Sequence, residues 1–304
     1  MTTIAQLKDA PHFVDYSHWQ GHVNGDKLKN YGIRGAIVKA GEVWMQQSGQ
    51  PAKQDDMHDW NVGEIKRANL LLGNYYFWHP KAGASKQYNH YWEISQEFDF
   101  DFPPIIDVEQ FDGYTYADKA EVSRQLQAMV DGVTRLFGRN PIIYTTQALW
   151  ISQIGDPEWA NDLYLWFAQY NSTMTPIPAN LVNRVIMWQY TDKLAIPGLV
   201  TLDANYWLKS EQDLVDLLRH DTTTPTPITY TKIEITCNFL RGRSRPIYTD
   251  ATKKVIFENG QILNLVQPVQ VIVESDVPWV EVMIPEAECT CWVSSNPNYT
   301  RMII

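Results

Sequence analysis

Eight short apolar or aromatic runs recur along the first two thirds of the chain: HFVDYS (12–17), GAIVKA (35–40), LLLGNYYFW (70–78), PPIIDVE (103–109), PIIYTT (141–146), LYLWFAQY (163–170), RVIMWQYT (184–191) and VTLDANYW (200–207). Each is apolar at adjacent as well as alternate positions and is bounded by Gly, Pro or polar residues, the pattern of strands buried on both faces. Helical periodicity fills several of the gaps. It is clearest in YADKAEVSRQLQAMVDGVTRLFG (116–138), where Gly138 suits a helix end. Strand alternating with helix implies a parallel sheet. Only about ten residues separate 191 from 201, too few for a full crossover helix. The expected fold is therefore α/β, an irregular barrel of about five βα units followed by three terminal strands without helices.

The stretch HDTTTPTPITY (220–230) alternates Thr and Pro with no apolar period and reads as an extended linker. It divides the chain into a domain at 1–221, a linker at 222–227 and a second domain at 228–304. The second domain shows short β-rich runs separated by turn-like stretches, the signature of a small all-β barrel.

The chain has 304 residues, of which 44% are hydrophobic, enough for a large core. No stretch reaches the roughly 18 to 20 apolar residues of a membrane span, so no membrane insertion is expected. The start, MTTIAQLKDAPHF, lacks a secretory pattern, which predicts synthesis in the cytoplasm and release by another route. The net charge is −10. Residues 1–220 carry 18 basic and 26 acidic side chains and residues 221–304 carry 7 and 9, a balance that argues against nucleic acid as a partner. The local exception is RGRSR (241–245), where Arg241, Arg243 and Arg245 fit either a solvated turn or a contact to an anionic wall polymer. Of the three cysteines, Cys289 and Cys291 alternate along one strand, too close for an easy disulfide and without the second pair a zinc site needs. Reduced, half-buried thiols are expected, and no metal site.

Candidate chemistry lies at the strand ends. Asp107 and Glu109 close the fourth run, and the two-residue period of a strand points them to one face, roughly 6.5 Å apart along the chain. Parallel α/β folds place active sites at that end. Asp15 and Asp203 are acids embedded in the first and last runs, which become neighbours if the barrel closes. Four acids then converge on one mouth. Like charges in a partly dry pocket resist joint ionisation, so at least one holds a proton near neutrality, and a protonated acid beside an ionised one is the equipment of glycoside hydrolysis, which calls for no cofactor. A lone strand-end acid reads equally well as a helix cap or salt bridge; the convergence of four favours chemistry. His18 and His22 read as loop residues. Trp78, Tyr76, Tyr144, Trp166, Tyr170, Trp188, Tyr190, Tyr206 and Trp207 fall near the strand ends, where flat rings suit both sugar faces and a barrel core.

In order along the chain, DYSHWQG, GNYYFWHP, PIIDVE, IIYTT, LWFAQY, MWQYTD and LDANYW resemble the motifs of the glycoside hydrolase family 25 lysozymes, over about residues 12–208. The resemblance implies a β/α barrel that cuts the β-1,4 bond between N-acetylmuramic acid and N-acetylglucosamine in peptidoglycan. It carries general acid and base to Glu109, its partner carboxylate to Asp107, and further acids to Asp15 and Asp203. Tyr76, Tyr144, Trp166 and Gln189 match groove positions, and Tyr170 and Trp78 are further candidates. FAQY and FWHP depart from the pattern by carrying bulky residues, so the groove's shape is not carried over. NFLRGRSRP, PWVEVMI and CWVSSN resemble bacterial SH3-type modules, which implies attachment to wall polymers. With the absent secretory pattern, the resemblance fits a phage or prophage endolysin that escapes through a separate membrane lesion; a monomer is expected. The competing expectations are a wall-binding protein without turnover and a hydrolase of chitin or another N-acetylated polysaccharide.

Overall fold

A computed structural model of the chain describes residues 2–7, 9–10, 12–43, 52–109, 119–219, 229–235, 239–243, 253–258, 261–270, 279–284, 289–294 and 300–303. The chain forms two units, Met1–Thr222 and Thr223–Ile304. The expected linker, 222–227, lies outside the described residues.

In the first unit all eight runs are strands: β1 His12–Tyr16, β2 Gly35–Val43, β4 Leu71–Phe77, β5 Ile105–Asp107, β6 Ile142–Thr146, β7 Leu165–Ala168, β8 Val185–Leu194 and β9 Leu202–Trp207. A ninth, β3 (Ala52–Gln54), was not legible and pairs antiparallel with the end of β2. The helices are α1 Gly25–Tyr31, α2 His58–Ala68, α3 Ala84–Ser95, α4 Lys119–Phe137, a short α5 Gln147–Leu149 that runs into a wider turn at Trp150–Ile154, and α6 Glu211–Leu218. The sheet order is β1-β9-β8-β7-β6-β5-β4-β2-β3, and β1 also pairs with β2, so eight strands close a barrel. The five βα units and the three strands that follow them come in the expected order, but the last strand is not helix-free, since α6 follows β9 directly.

One direction differs from the parallel expectation. β9 runs antiparallel to both β8 and β1, because the seven residues between Leu194 and Leu202 allow a hairpin and not a parallel crossover. The reversal decides where Asp203 sits. At the start of an upside-down strand, it lies at the rim where the other strands have their carboxyl ends.

Strand parity sorts the core into two layers. Val14, Ala36, Val38 and Leu72 point outward and pack with Leu28, Val62 and Ile65 of α1 and α2. Their neighbours Phe13, Ile37, Ile105, Ile142, Trp166 and Trp207 belong to a second cluster, which fills the barrel. Outside, α4 buries Val122, Leu126, Met129, Val133 and Leu136 at three- and four-residue spacing. It stops at Gly138, whose φ of +68° places it in the left-handed region and whose N–H returns to the Thr134 carbonyl. Among the described residues, no helix is long and apolar enough to cross a membrane.

The second unit is antiparallel throughout its described strands: β10 Thr229–Ile235, β11 Phe239–Arg243, β12 Lys253–Glu258, β13 Ile262–Gln270, β14 Trp279–Ile284, β15 Cys289–Ser294 and β16 Thr300–Ile303, in the order β12-β11-β15-β14-β13-β10-β16. Ile235, Leu263 and Val282 are buried within it. Arg245 and the side chains of Arg241, Arg243, Cys289 and Cys291 lie outside what is described.

Candidate active site

β5 is three residues long, so its tip is reached at once. Asp107 is in register with Phe77 of β4 and Tyr144 of β6, and Glu109 follows two residues later at the mouth. Asp107 is only 4% exposed, and its Oδ1 meets no hydrogen-bond donor among the described residues. Glu109 is half-buried and lines an open cavity of about 470 Å3, with Tyr144, Thr146, Gln153, Gln169 and Tyr170.

Asp15 and Asp203 face each other in register across β1 and β9. Asp15 is buried and accepts three N–H bonds: two from Gln189 Nε2, at 3.0 and 2.9 Å, and one from Asn205 Nδ2 at 2.6 Å. Behind these stands a second layer. Tyr144 donates its hydroxyl to Gln189 Oε1 at 2.8 Å, and Trp166 donates its indole N–H to Asn205 Oδ1 at 2.8 Å. Each amide is thereby held with its NH2 toward the carboxylate, the orientation that supports a negative charge. Neither Asn205 nor this division of labour was legible in the sequence.

Reading the sequence also missed a cation. Lys39, at an inward position of β2, is buried, with Nζ 2.8 Å from Glu42 Oε1 and 5.0 Å from the centre of the Phe77 ring. Its signal was present as a lysine inside the apolar run GAIVKA, where an unpaired charge could not be buried.

The acids bear on one another's charge. Burial raises the pKa of Asp15 to about 6 against the hydrogen bonds of Asn205 and Gln189, and Glu109 adds repulsion. Asp203 is raised to about 8, by burial first and then by Asp15, Asp192 and Glu109. Asp107 is raised well above the carboxylate range by burial and by Glu109, with Lys39 opposing. Glu109 is raised by burial, and Lys39 again opposes. Near neutrality the cluster therefore holds protons, Asp203 carrying one, while the N–H bonds to Asp15 favour its charged form.

Of the six expected groove residues, Tyr144 and Tyr170 line the cavity, and Tyr170 is exposed. Gln189 and Trp166 are buried below it and position Asp15 and Asn205, with the Trp166 ring edge-on to Tyr144 at 4.6 Å. Tyr76 is not brought to the mouth. It points outward from β4, fully buried, with its hydroxyl 3.0 Å from His90 Nδ1 and its ring beside Tyr91 of α3. Trp78 is likewise fully buried. The reason is parity: Tyr75 is in register with Ile105 and Phe77 with Asp107, so the odd-numbered residues of β4 share the face of Asp107. Tyr75 supplies the ring expected of Tyr76, and its hydroxyl pKa is raised by burial and then by Asp107 and Asp15. Trp188 and Trp207 are buried with their indole N–H groups on the carbonyls of Gln169 and Ser210, whereas Tyr190 and Tyr206 stack together beside His12. His18 is in a loop as expected but is not merely solvated, since its Nδ1 lies 2.6 Å from Asp55 Oδ2. Among the described residues no three His, Cys, Asp or Glu side chains are grouped so as to hold a metal ion.

The family described as Glycosyl hydrolases family 25 matches residues 14–199. The protein YegX of Escherichia coli K12 is 26% identical over 194 residues, covering 62% of this chain and 65% of its own length. Lysozyme M1 of Streptomyces globisporus is 24% identical over 196 residues, covering 61% of this chain and 63% of its own. The match thus spans just under two thirds of the length of these relatives. The crystal structure of the bacterial lysozyme from Streptomyces coelicolor superposes with a TM-score of 0.61 at 21% identity, over 69% of this chain and 97% of that one, a likeness of fold.

Proposed function

The chain belongs to the glycosyl hydrolases family 25, and on that footing we propose that it hydrolyses bacterial peptidoglycan at the β-1,4 bond between N-acetylmuramic acid and N-acetylglucosamine. The observation that carries this reading is the position of Glu109: half-buried, on the wall of the cavity, in the same electrostatic cluster as Asp15, Asp107 and Asp203.

Two carboxylates on one face of one strand are poorly placed to flank a sugar from opposite sides, so a nucleophile-plus-acid pair fits badly. In the reading adopted here, Glu109 gives its proton to the glycosidic oxygen as the bond to the anomeric carbon breaks. The carbonyl oxygen of the substrate's own N-acetyl group attacks that carbon and closes a cationic five-membered ring. Asp107, whose buried Oδ1 meets no donor among the described residues, accepts the amide N–H and orients the group for attack. Water then opens the ring, and Glu109 takes its proton, with the anomeric configuration retained. Asp15, its charged form favoured by three N–H bonds, lends further negative charge.

Mass spectrometry of digested peptidoglycan tests the bond: new reducing-end N-acetylmuramic acid is expected, whereas new reducing-end N-acetylglucosamine, or cleavage of chitin alone, overturns the assignment. Release of the inverted anomer first would remove the N-acetyl route and shift the role of water activation to Asp15 or Asp203. An SH3-type, wall-attaching role for residues 228–304 extends the same reading, supported by the antiparallel, all-β character of its described strands.

A further inference from the structure

Two tryptophans stand in water on the side of the barrel away from the cavity: Trp19 is 79% exposed and Trp60 52%. A single exposed ring is ordinary on a protein surface; what singles these two out is where they stand and how they are held. Their positions follow from the closed strand order. The cavity is built on β6, β7 and the segments that follow them. Trp19 follows β1, and Trp60 is in the first turn of α2, after β2 and β3. Around the ring β8 and β9 separate these two sides one way, β5 and β4 the other. A linear ligand that leaves the cavity toward the tryptophans must cross the mouth where Asp107, Glu109, Asp15 and Asp203 stand.

Both rings are held in place. In the turn His18–Gln20, Ser17 Oγ accepts the Trp19 N–H at 3.3 Å and Gln20 Oε1 accepts the Ser17 N–H at 3.0 Å. Buried Asp55 ties that turn to the approach to α2: its Oδ2 accepts the His18 backbone N–H at 3.2 Å and lies 2.6 Å from His18 Nδ1, while its own N–H reaches the Ala40 carbonyl at 2.8 Å. The His18 ring supports Trp19 at 4.7 Å, and His22 meets Trp60 edge-on at 4.6 Å. Pre-organised, open aromatic rings suit the apolar faces of sugars.

We propose that Trp19 and Trp60 form a glycan-stacking ledge, distal to the acids, that takes N-acetylhexosamine rings of the strand beyond the bond that is cut. The ledge rests on the reading of the mouth as a glycan hydrolase, and it sets a preference for long strands over short ones.

The test compares the full-length protein with Trp19→Ala, Trp60→Ala and the double variant. Binding to peptide-free peptidoglycan glycan strands is measured by titration calorimetry in a Glu109→Gln background, and turnover of long and short strands in the parent background. The double variant is expected to lose roughly tenfold or more in affinity for long strands, with KM raised on long strands, kcat unchanged and short-strand turnover unaltered. Unchanged affinity and KM on long strands in a folded double variant, checked by its melting temperature, overturns the ledge. If the parent protein cleaves no glycan yet the tryptophan variants still lose binding, the hydrolase reading fails and the ledge stands.

Discussion

Asp15 and Asp203 lie directly opposite each other on antiparallel β1 and β9, so the closure of the barrel itself forces two carboxylates together. Opposed like charges weaken a strand pair, and three N–H donors on Asp15 together with a raised pKa on Asp203 are how this pair persists. The mouth is a store of electrostatic stress relieved by protons and by Lys39.

Replacing Glu109 with Gln keeps the shape and removes the transferable proton. Cleavage of peptidoglycan, followed as loss of turbidity and gain of reducing ends, should fall by about 10²- to 10⁴-fold with the melting temperature unchanged or higher, since Gln cannot ionise in a crowded site. Equal clearing by both proteins would dismiss Glu109 as the acid.

Lys39 lowers the pKa of both Asp107 and Glu109, so Lys39→Met should raise both further. The alkaline limb of the kcat/KM profile, set by loss of the Glu109 proton, should move to higher pH, and Lys39→Arg should restore it in part. Partly buried Glu42 loses its ion pair with Lys39 in Lys39→Met, so a lower melting temperature is also expected. A profile that does not move would separate Lys39 from the acids.

Asp203 has a folded pKa of about 8 against an ordinary value of 3.8. A carboxyl raised on folding contributes stability that is complete below its unfolded pKa and is lost as pH rises through the folded one. Stability should therefore decline between about pH 4 and pH 8, and Asp203→Asn should flatten that decline. Chemical denaturation at a series of pH values reads this directly; an unchanged slope would contradict it.

Gln189→Leu removes two of the three N–H contacts to Asp15, both made by Nε2, and one hydrogen-bond partner of the Tyr144 hydroxyl. Both lost bonds lower the Asp15 pKa, so that pKa should rise. By analogy with outer-shell ligand partners, kcat should fall by about 10- to 100-fold while KM stays close to the parent value. A change confined to KM would indicate a groove contact and not a positioning role.

Away from the site, α4 lies so close to α3 that a Cβ on Gly132 would stand 2.0 Å from Cδ1 of the Tyr88 ring. Alanine gains up to about 1 kcal/mol in helix propensity, but overpacking against a ring costs about 1 to 3 kcal/mol. Gly132→Ala should be net destabilising by denaturant titration, and a stabilised variant would show that the helices can part.

The eight strand runs, the α4 helix and the helix-free connections between β7, β8 and β9 were legible because they rest on local causes: apolar blocks, helical spacing and connections too short for crossovers. The acid-x-acid tip of β5 was legible for the same reason, since a two-residue period fixes which side chains share a face. Parity was also available for β4, but only once a partner register was known. In a run as uniformly aromatic as NYYFW nothing local says whether Tyr75 or Tyr76 faces inward, and the inward face goes to Tyr75 because it pairs with Ile105. Asn205 was hidden by the same limit, a polar residue in a strand whose partner Asp15 lies far away in sequence. The convergence of Asp203 on the mouth needed more: had β9 run parallel, residue 203 would stand at the opposite rim. The sequence thus determined which segments are strands and where acids occur along them. Direction, register and closure, which arise only when distant segments compete for backbone hydrogen bonds, decided that those acids share one site and which side chains hold them there.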